Sequence, residues 1–417
     1  MTASCILLDA VRVRNNRSAV DSRRFSQKWG PSMDWAAIRQ DFAITRNYNY
    51  QNHAGVAPLH RRAAEAIREY ADDVEQTAFL GRELYQQAEH IRKRMAELLN
   101  ANTDEVTFIK NTSEGLSFVA NGLNWSSDDN IVTTNAEFPA NIYPWQALQD
   151  RGVKLRMVLE ENGRVPLDKL SEAVDNRTRL MALSSVQYAS GFQTDLAAVG
   201  AFCQSKGVFF CVDAIQSLGV FPIDVKAMGI DFLAADGHKW LCGPEGAGVF
   251  YVRKEIQGHL RPTCIGWASV KNKWKFHPYH FELDDSARRY DSGVYNLPGI
   301  YGLGASIDWV LEVGVENMAK RLLALTDRLV AGVRDKGYRV VSPRGPGEGS
   351  GIVAFKSDTH DLEAIQKHLQ AEHRIITAYR RKRLRSSPHV YNTEREIDQL
   401  IDALPSKTAP VRSFGCG

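Results

Sequence analysis

Lys239 is the residue of this sequence whose surroundings best suit covalent chemistry. It lies in Phe232-Leu-Ala-Ala-Asp-Gly-His-Lys-Trp-Leu-Cys-Gly-Pro-Glu-Gly246, where a glycine-flanked turn joins two apolar runs. Burial disfavours the protonated form of an amine, and the neutral amine is the nucleophile that condenses with a carbonyl group. The sequence therefore predicts a buried, imine-forming lysine, against the alternative of an ordinary surface lysine.

Asp213 is the second candidate, because it ends the apolar run that starts at Val208. Ligands of open α/β sheets bind at the carboxyl ends of the strands. A carboxylate in that position can pair with a protonated ring nitrogen and strengthen an electron-withdrawing cofactor. A helix cap or a surface carboxylate is the alternative, and the position at a strand end argues against it.

The ordered set Asp213, Gln216 and His238-Lys239 resembles the signature of aminotransferase class V-fold enzymes, which use pyridoxal 5'-phosphate (PLP). This superfamily includes cysteine desulfurases, isopenicillin N epimerase-like proteins and related lyases. The resemblance runs from about Asn52 to Leu404. It implies a PLP Schiff base at Lys239, Asp213 at the pyridine nitrogen, Gln216 at the phenolic oxygen and His238 at the phosphate.

The remaining PLP contacts are predicted from three further segments. Lys110–Ser117 opens a helix, where backbone N–H groups and the hydroxyls of Thr112 and Ser113 can bind a phosphate, although such a pattern alone is more often a helix cap. Phe138 stands where cysteine desulfurases have a histidine, so we expect it to stack on the cofactor rather than pack in the core. Tyr188 is predicted either to contact the ring or to be a core tyrosine.

Substrate contacts are implied by the same resemblance. Arg385 resembles the arginine that binds the α-carboxylate of an amino acid in bidentate fashion. His53 could be a second acid-base group, although a structural loop histidine is an equal alternative. Tyr290–Asn296 resembles a segment lent to the partner subunit, which implies a homodimer with a shared active site. The family commonly has a hydroxyl residue at the position of Val294.

The reaction is less constrained than the cofactor. Cysteine desulfurases carry a nucleophilic cysteine between two arginine-bearing strands, and no cysteine lies between Ile376 and Arg385. The pattern from Ser387 to Thr393 favours an aminotransferase class V enzyme of the isopenicillin N epimerase-like branch. A carbon-sulfur lyase without the persulfide cysteine is the nearest alternative, and epimerisation stays possible. A non-catalytic PLP-binding interaction protein is the alternative from another class.

The composition of the chain bears on its partners, its metal content and its location. The 417 residues carry a net charge of +3 and 44% apolar residues, which is ordinary for a globular protein and predicts neither a nucleic-acid nor a membrane partner. The six cysteines lack paired metal-ligand spacing, so no metal site is expected. No secretory signal is recognisable, and a cytoplasmic location is the simplest expectation.

Seven short apolar runs between Val106 and Val252 alternate with helix-length segments. They predict an α/β fold whose large domain is a mainly parallel seven-stranded sheet, with a smaller α+β domain. The resemblance makes this the PLP-dependent transferase fold type I. The predicted divisions are a polar extension (1–35), a segment that joins the small domain (36–60), the large PLP-binding domain (61–300) and the small domain (301–417).

Overall fold

A computed structural model describes residues 33–78, 80 and 83–406. The predicted polar extension therefore lies outside the described residues, except for its last three positions. Numbered in chain order, the strands are β1 (Asn49–Tyr50), β2 (Val106–Ile109), β3 (Asn130–Thr134), β4 (Lys154–Val158), β5 (Thr178–Ser184), β6 (Phe209–Asp213), β7 (Phe232–Asp236), β8 (Gly248–Val252), β9 (Arg339–Val340), β10 (Val353–Lys356), β11 (Ile375–Ile376), β12 (Ala378–Arg380) and β13 (Arg383–Ser386).

The α-helices of the described residues are α1 (Trp35–Arg39), α2 (Arg61–Thr77), α3 (Leu84–Leu99), α4 (Thr112–Gly122), α5 (Tyr143–Gln146), α6 (Leu167–Glu172), α7 (Leu196–Lys206), α8 (Leu297–Val313), α9 (Val315–Asp335), α10 (Leu362–His373) and α11 (Glu394–Ala403). A capping box starts α11, because Thr393 and Glu396 bond each other's backbone there. None of these helices combines the length and the apolar character needed to cross a membrane.

The large sheet has the strand order β2-β8-β7-β6-β5-β3-β4. Its neighbouring strands are parallel except where β8 meets β7 and β2. Strands β3, β7 and β8 are buried along their whole length, as expected of strands covered on both faces. All seven apolar runs became strands of this sheet, so the predicted α/β architecture is confirmed.

The parallel strands bring their carboxyl ends to one edge of the sheet. Asp213 ends β6 and lies in register with Ser184 at the end of β5 and Ala234 in β7. Strand β7 ends at Asp236, three residues before Lys239. The two main candidates for chemistry therefore lie at the same edge.

A second, antiparallel sheet has the order β12-β13-β10-β9. One of its faces carries Val353, Phe355 and Leu384 into a core with α9, α10 and α11. Strand β1 pairs in parallel with β11. We therefore propose that residues 36–60 join the small domain.

Helices α8 and α9 are separated by Gly314, whose φ of +83° suits a residue without a Cβ atom. The predicted domain boundary after residue 300 falls inside α8, and α8 packs against α2 and α3 of the large domain. We therefore propose Gly314 as the boundary between the two domains.

Candidate active site

Lys239 is 9% exposed and faces an aromatic side chain. Its Nζ atom lies 5.6 Å from the centre of the Phe138 ring, and that ring meets the Tyr188 ring edge-on at 5.2 Å. Burial lowers the pKa of Lys239, the positive charge of Arg385 lowers it further, and Asp213 opposes the shift. The amine is thus moved toward its neutral, nucleophilic form.

Asp213 is 2% exposed, and its Oδ1 accepts a hydrogen bond from the backbone N–H of Ile215 at 3.0 Å. Burial raises the pKa of Asp213, and the nearby carboxylate of Glu137 raises it further. Lys239 acts in the opposite direction. A cation beside a buried carboxylate stabilises its ionised form. The position of Asp213 therefore suits a protonated pyridine nitrogen.

Gln216 is held by two neighbours. Its Oε1 accepts from the Trp240 indole N–H at 2.9 Å, and its Nε2 donates to the Ala54 carbonyl at 3.1 Å. An amide nitrogen carries two hydrogens, so one donor of Gln216 remains for a ligand oxygen. These two hydrogen bonds fix the orientation of the side chain.

The predicted phosphate site lies at the start of α4. The Asn111 side chain caps the helix by accepting from the Glu114 N–H at 2.9 Å. Thr112 is buried and its Oγ1 accepts from the Asp236 N–H at 3.2 Å, while Ser113 is exposed. The first-turn N–H groups of a helix have no intrahelical acceptor, so they can bind an anion.

His238 joins this end of the site through Asp236. Its Nδ1 lies 2.7 Å from Asp236 Oδ2, and its ring is partly exposed. The pairing fixes the imidazole and directs the other ring nitrogen away from the carboxylate. The turn that follows β7 therefore carries both Lys239 and a histidine whose orientation is fixed.

Arg385 is 1% exposed and lacks a carboxylate partner within ion-pair distance in the described part of the chain. Its guanidinium donates to the Tyr188 carbonyl at 2.7 Å and to Asn52 Oδ1 at 3.3 Å. Burial lowers the pKa of Arg385 to about 10. A buried cation is costly unless an anion accompanies it, so this geometry suits an anionic ligand.

His53 is fully buried and both of its ring nitrogens are engaged. Nδ1 lies 3.0 Å from the Ser387 carbonyl, and Nε2 lies 2.8 Å from the Tyr391 hydroxyl. Burial holds the pKa of His53 well below its ordinary value. These contacts favour the structural alternative over the acid-base role, because neither nitrogen is left for a substrate.

Glu137 is a buried site residue that the sequence analysis missed. Its carboxylate accepts from the Ser184 N–H at 2.7 Å, from the Ser184 hydroxyl and from Gln187 Nε2 at 2.8 Å. It precedes Phe138 and thereby ties the ring-bearing loop to the end of β5. The signal in the sequence was a glutamate within an otherwise apolar loop that follows a strand.

Comparisons with known proteins identify the family of this chain. The family model "Aminotransferase class-V" matches residues 49–400. The chain belongs to the aminotransferase class V family. A probable cysteine desulfurase of Methanothermobacter thermautotrophicus is 32% identical, covering 88% of this chain and 96% of the relative. The aminotransferase YcbU of Bacillus subtilis, whose name marks it as uncharacterised, is 29% identical over 89% of this chain and 97% of its own.

Solved structures give the same result. The cystine C-S lyase C-DES, in complex with cysteine persulfide, has a TM-score of 0.80 at 25% identity, covering 87% of this chain and 98% of that one. A C-DES variant with glycine covalently linked to its PLP cofactor has a TM-score of 0.81 over the same shares. This class V chain is therefore a PLP-dependent enzyme of fold type I, as its sequence predicted.

Proposed function

We propose that this class V enzyme acts on an α-amino acid and that its reaction is a transamination. The observation that carries the proposal is the buried guanidinium of Arg385, which has no carboxylate partner among the described residues and lies beside the Lys239 and Asp213 pair. A planar guanidinium binds a carboxylate with two parallel hydrogen bonds, which would orient the amino group of the substrate toward Lys239.

Each catalytic role in the proposal follows from local chemistry. When bound, PLP supplies an electron sink that acidifies the substituents of the substrate α-carbon. Asp213 would keep the ring nitrogen protonated, since its buried carboxylate forms no salt bridge with another described residue. The neutral amine of Lys239 would accept and return the α-proton as a general base.

The cofactor-binding residues are part of the same proposal. Thr112, Ser113 and His238 would bind the phosphate, and Gln216 would donate its remaining hydrogen to the phenolic oxygen. Phe138 would cover one face of the ring, which is supported by its position 5.6 Å from Lys239 Nζ. Tyr188 would contribute its ring edge beside Phe138.

Persulfide formation is disfavoured by the hairpin that carries Arg385. Strands β12 and β13 are joined by Arg381 and Lys382 alone, with φ values of 49° and 57°. A two-residue turn of this kind leaves no loop to carry a mobile cysteine.

Cys242 is near Lys239 in sequence, but it is fully buried and burial raises the pKa of its thiol, so it is inert.

A carbon-sulfur lyase is the second candidate, supported by the similarity of almost the whole C-DES chain to this one. Absorption spectra and product analysis separate the two reactions. We expect a visible band of the lysine-bound cofactor that bleaches with an amino donor and returns with a 2-oxo acid. Release of pyruvate and ammonia from cysteine or cystine, without that return, would instead establish the lyase.

We also propose a homodimer, with Tyr290–Asn296 contributing to the partner's site. Asp291 anchors the segment, accepting from Arg92 at 2.9 Å and from the Tyr295 hydroxyl at 2.8 Å. Val294, between these anchors, is 76% exposed, so its apolar side chain is accessible to a partner subunit. Sedimentation equilibrium tests the proposal, and a monomer at micromolar concentration would contradict it.

The cytoplasmic location stays part of this proposal. The cysteines of the described residues are free thiols, three of them buried and Cys264 exposed. An exposed free thiol is ordinary in a reducing compartment. Fractionation of the native host would test the location.

A further inference from the structure

Three arginines share the face of the small sheet that meets the active site. In the antiparallel pairing of β12 with β13, Arg380 lies opposite Arg383 and Ala378 lies opposite Arg385. Side chains two positions apart on a strand point to the same side, so Arg380, Arg383 and Arg385 project together. The intervening Leu384 enters the small-domain core on the other face.

The negative charge on this face comes from Glu160, which follows β4 at the same edge of the large sheet. Its carboxylate pairs with Arg383 at 2.6 Å and lies 3.7 Å from Arg381. One carboxylate therefore serves two guanidinium groups. The ion pair with Glu160 balances the charge of Arg383, and this pair holds the small sheet against the large domain.

Arg380 and Arg385 are left without a carboxylate partner within ion-pair distance among the residues that the structure describes. Arg385 is buried, whereas Arg380 is exposed and donates from Nη1 to its neighbour's carbonyl, that of Tyr379, at 2.8 Å. The positive charge of Arg380 lowers the pKa of both Lys239 and Arg385, so it lies close enough to act on the site. The buried Arg385 and the exposed Arg380 can therefore each bind an anionic group of a ligand.

Diagonal positions on paired strands are about 7–8 Å apart, and long side chains bridge that separation. A substrate whose α-carboxylate binds Arg385 would place the end of its own side chain near Arg380. A neutral side chain would leave the Arg380 charge unmatched, and a cationic one would be repelled by it.

We propose that Arg380 is a specificity-determining residue and that the substrate is an α-amino acid with a second anionic group at the end of its side chain. This inference rests on the proposed function, because it takes Arg385 as the α-carboxylate ligand. A carboxylate or a sulfonate of the reach of aspartate or glutamate has the required chemistry.

Calorimetric binding of simple acids to the purified PLP-loaded protein tests this directly, because the acids lack an amino group and cannot react. Valerate reports the Arg385 site alone, while glutarate and 4-sulfobutyrate add a second carboxylate or a sulfonate. We expect glutarate, 4-sulfobutyrate or both to bind roughly 10- to 100-fold more tightly than valerate. Whichever of the two binds more tightly identifies the second anion.

Arg380→Gln should remove that advantage and leave valerate binding unchanged, while Arg385→Gln should weaken all three acids. Lys382→Gln is the matched control, since it removes one exposed positive charge from the adjoining turn and should preserve the advantage. Equal binding of all three acids by the unmodified protein, or an advantage that survives Arg380→Gln, would overturn the inference. Valerate binding that is indifferent to Arg385→Gln would instead count against the proposed function.

Discussion

Two groups of buried ionisable side chains respond to burial differently. The first is the site itself, with Lys239, Asp213 and Arg385. The second, which we call the histidine cluster, consists of His53, His60 and His389. Burial lowers the pKa of all three histidines, to about 4 for His389. A histidine sheds its proton at little cost, whereas an arginine keeps its charge and needs an anion.

Packing explains why the histidine cluster can be structural. The His60 ring stacks on Trp309 at 4.5 Å, and the His389 ring stacks on Trp240 at 5.9 Å. These neutral rings act as amphipathic core residues. Burial alone therefore does not mark a functional residue here. A buried charge that lacks an oppositely charged partner among the described residues does, and Arg385 meets that criterion.

Substitution of Lys239 is expected to have the largest effect on the site, and it tests the contrast with the histidine cluster most directly. Lys239→Ala should lower turnover by at least about 10³-fold, because both the covalent link and the general base are lost. The visible band of the lysine-bound cofactor should disappear with it. Lys226→Ala, at an exposed lysine, is the control and should keep both. Borohydride trapping of PLP on another lysine in the Lys239→Ala protein would refute the assignment.

Removing the charge of Asp213 should have the next largest effect. Asp213→Asn preserves shape and the bond to Ile215 but cannot hold a ring nitrogen protonated, so turnover should fall roughly 10²- to 10³-fold. Cofactor binding should partly survive, which the visible band would report. Asp213→Glu keeps the charge and should retain more activity than Asp213→Asn. Near-normal turnover in the asparagine variant would remove Asp213 from the mechanism.

The large sheet was predictable because its strands are local apolar runs. The predicted runs Val106–Ile109 and Gly248–Val252 coincide with β2 and β8. Strand β13 was not predicted, since its sequence lies within a run of basic residues, and such runs are usually solvated surfaces. The alternation of Arg383, Leu384 and Arg385 was the available signal, but the carboxylate that pairs with the buried Arg383 is that of Glu160, more than 200 residues away.

The candidate site was predictable to a similar degree. Asp213 and Lys239 come together because they follow neighbouring parallel strands, which a sequence pattern can indicate. The role of His53 could not be decided from sequence, because its partners Ser387 and Tyr391 lie more than 330 positions away. Such contacts are set by tertiary packing, and no local pattern encodes them.

The smallest expected effect is on the pH dependence of the free energy of unfolding, to which the histidine cluster contributes. The pKa of His389 is about 4 in the folded chain and near 6.5 when unfolded, so the unfolded state binds more protons between these values. Stability contributed by the neutral ring is complete above pH 6.5 and falls as the pH drops toward 4, by up to about 1.4 kcal/mol per pH unit.

His389→Phe removes this titration while keeping an aromatic ring beside Trp240. We expect the free energy of unfolding, measured by urea denaturation from pH 4.5 to 7, to depend less steeply on pH in that variant, by about 1 kcal/mol per unit. His280→Gln, at an exposed histidine, should leave the slope unchanged. An unaltered slope in His389→Phe would mean that His389 is not held neutral by burial, and the contrast between the neutral histidine cluster and the charged Arg385 would then fail.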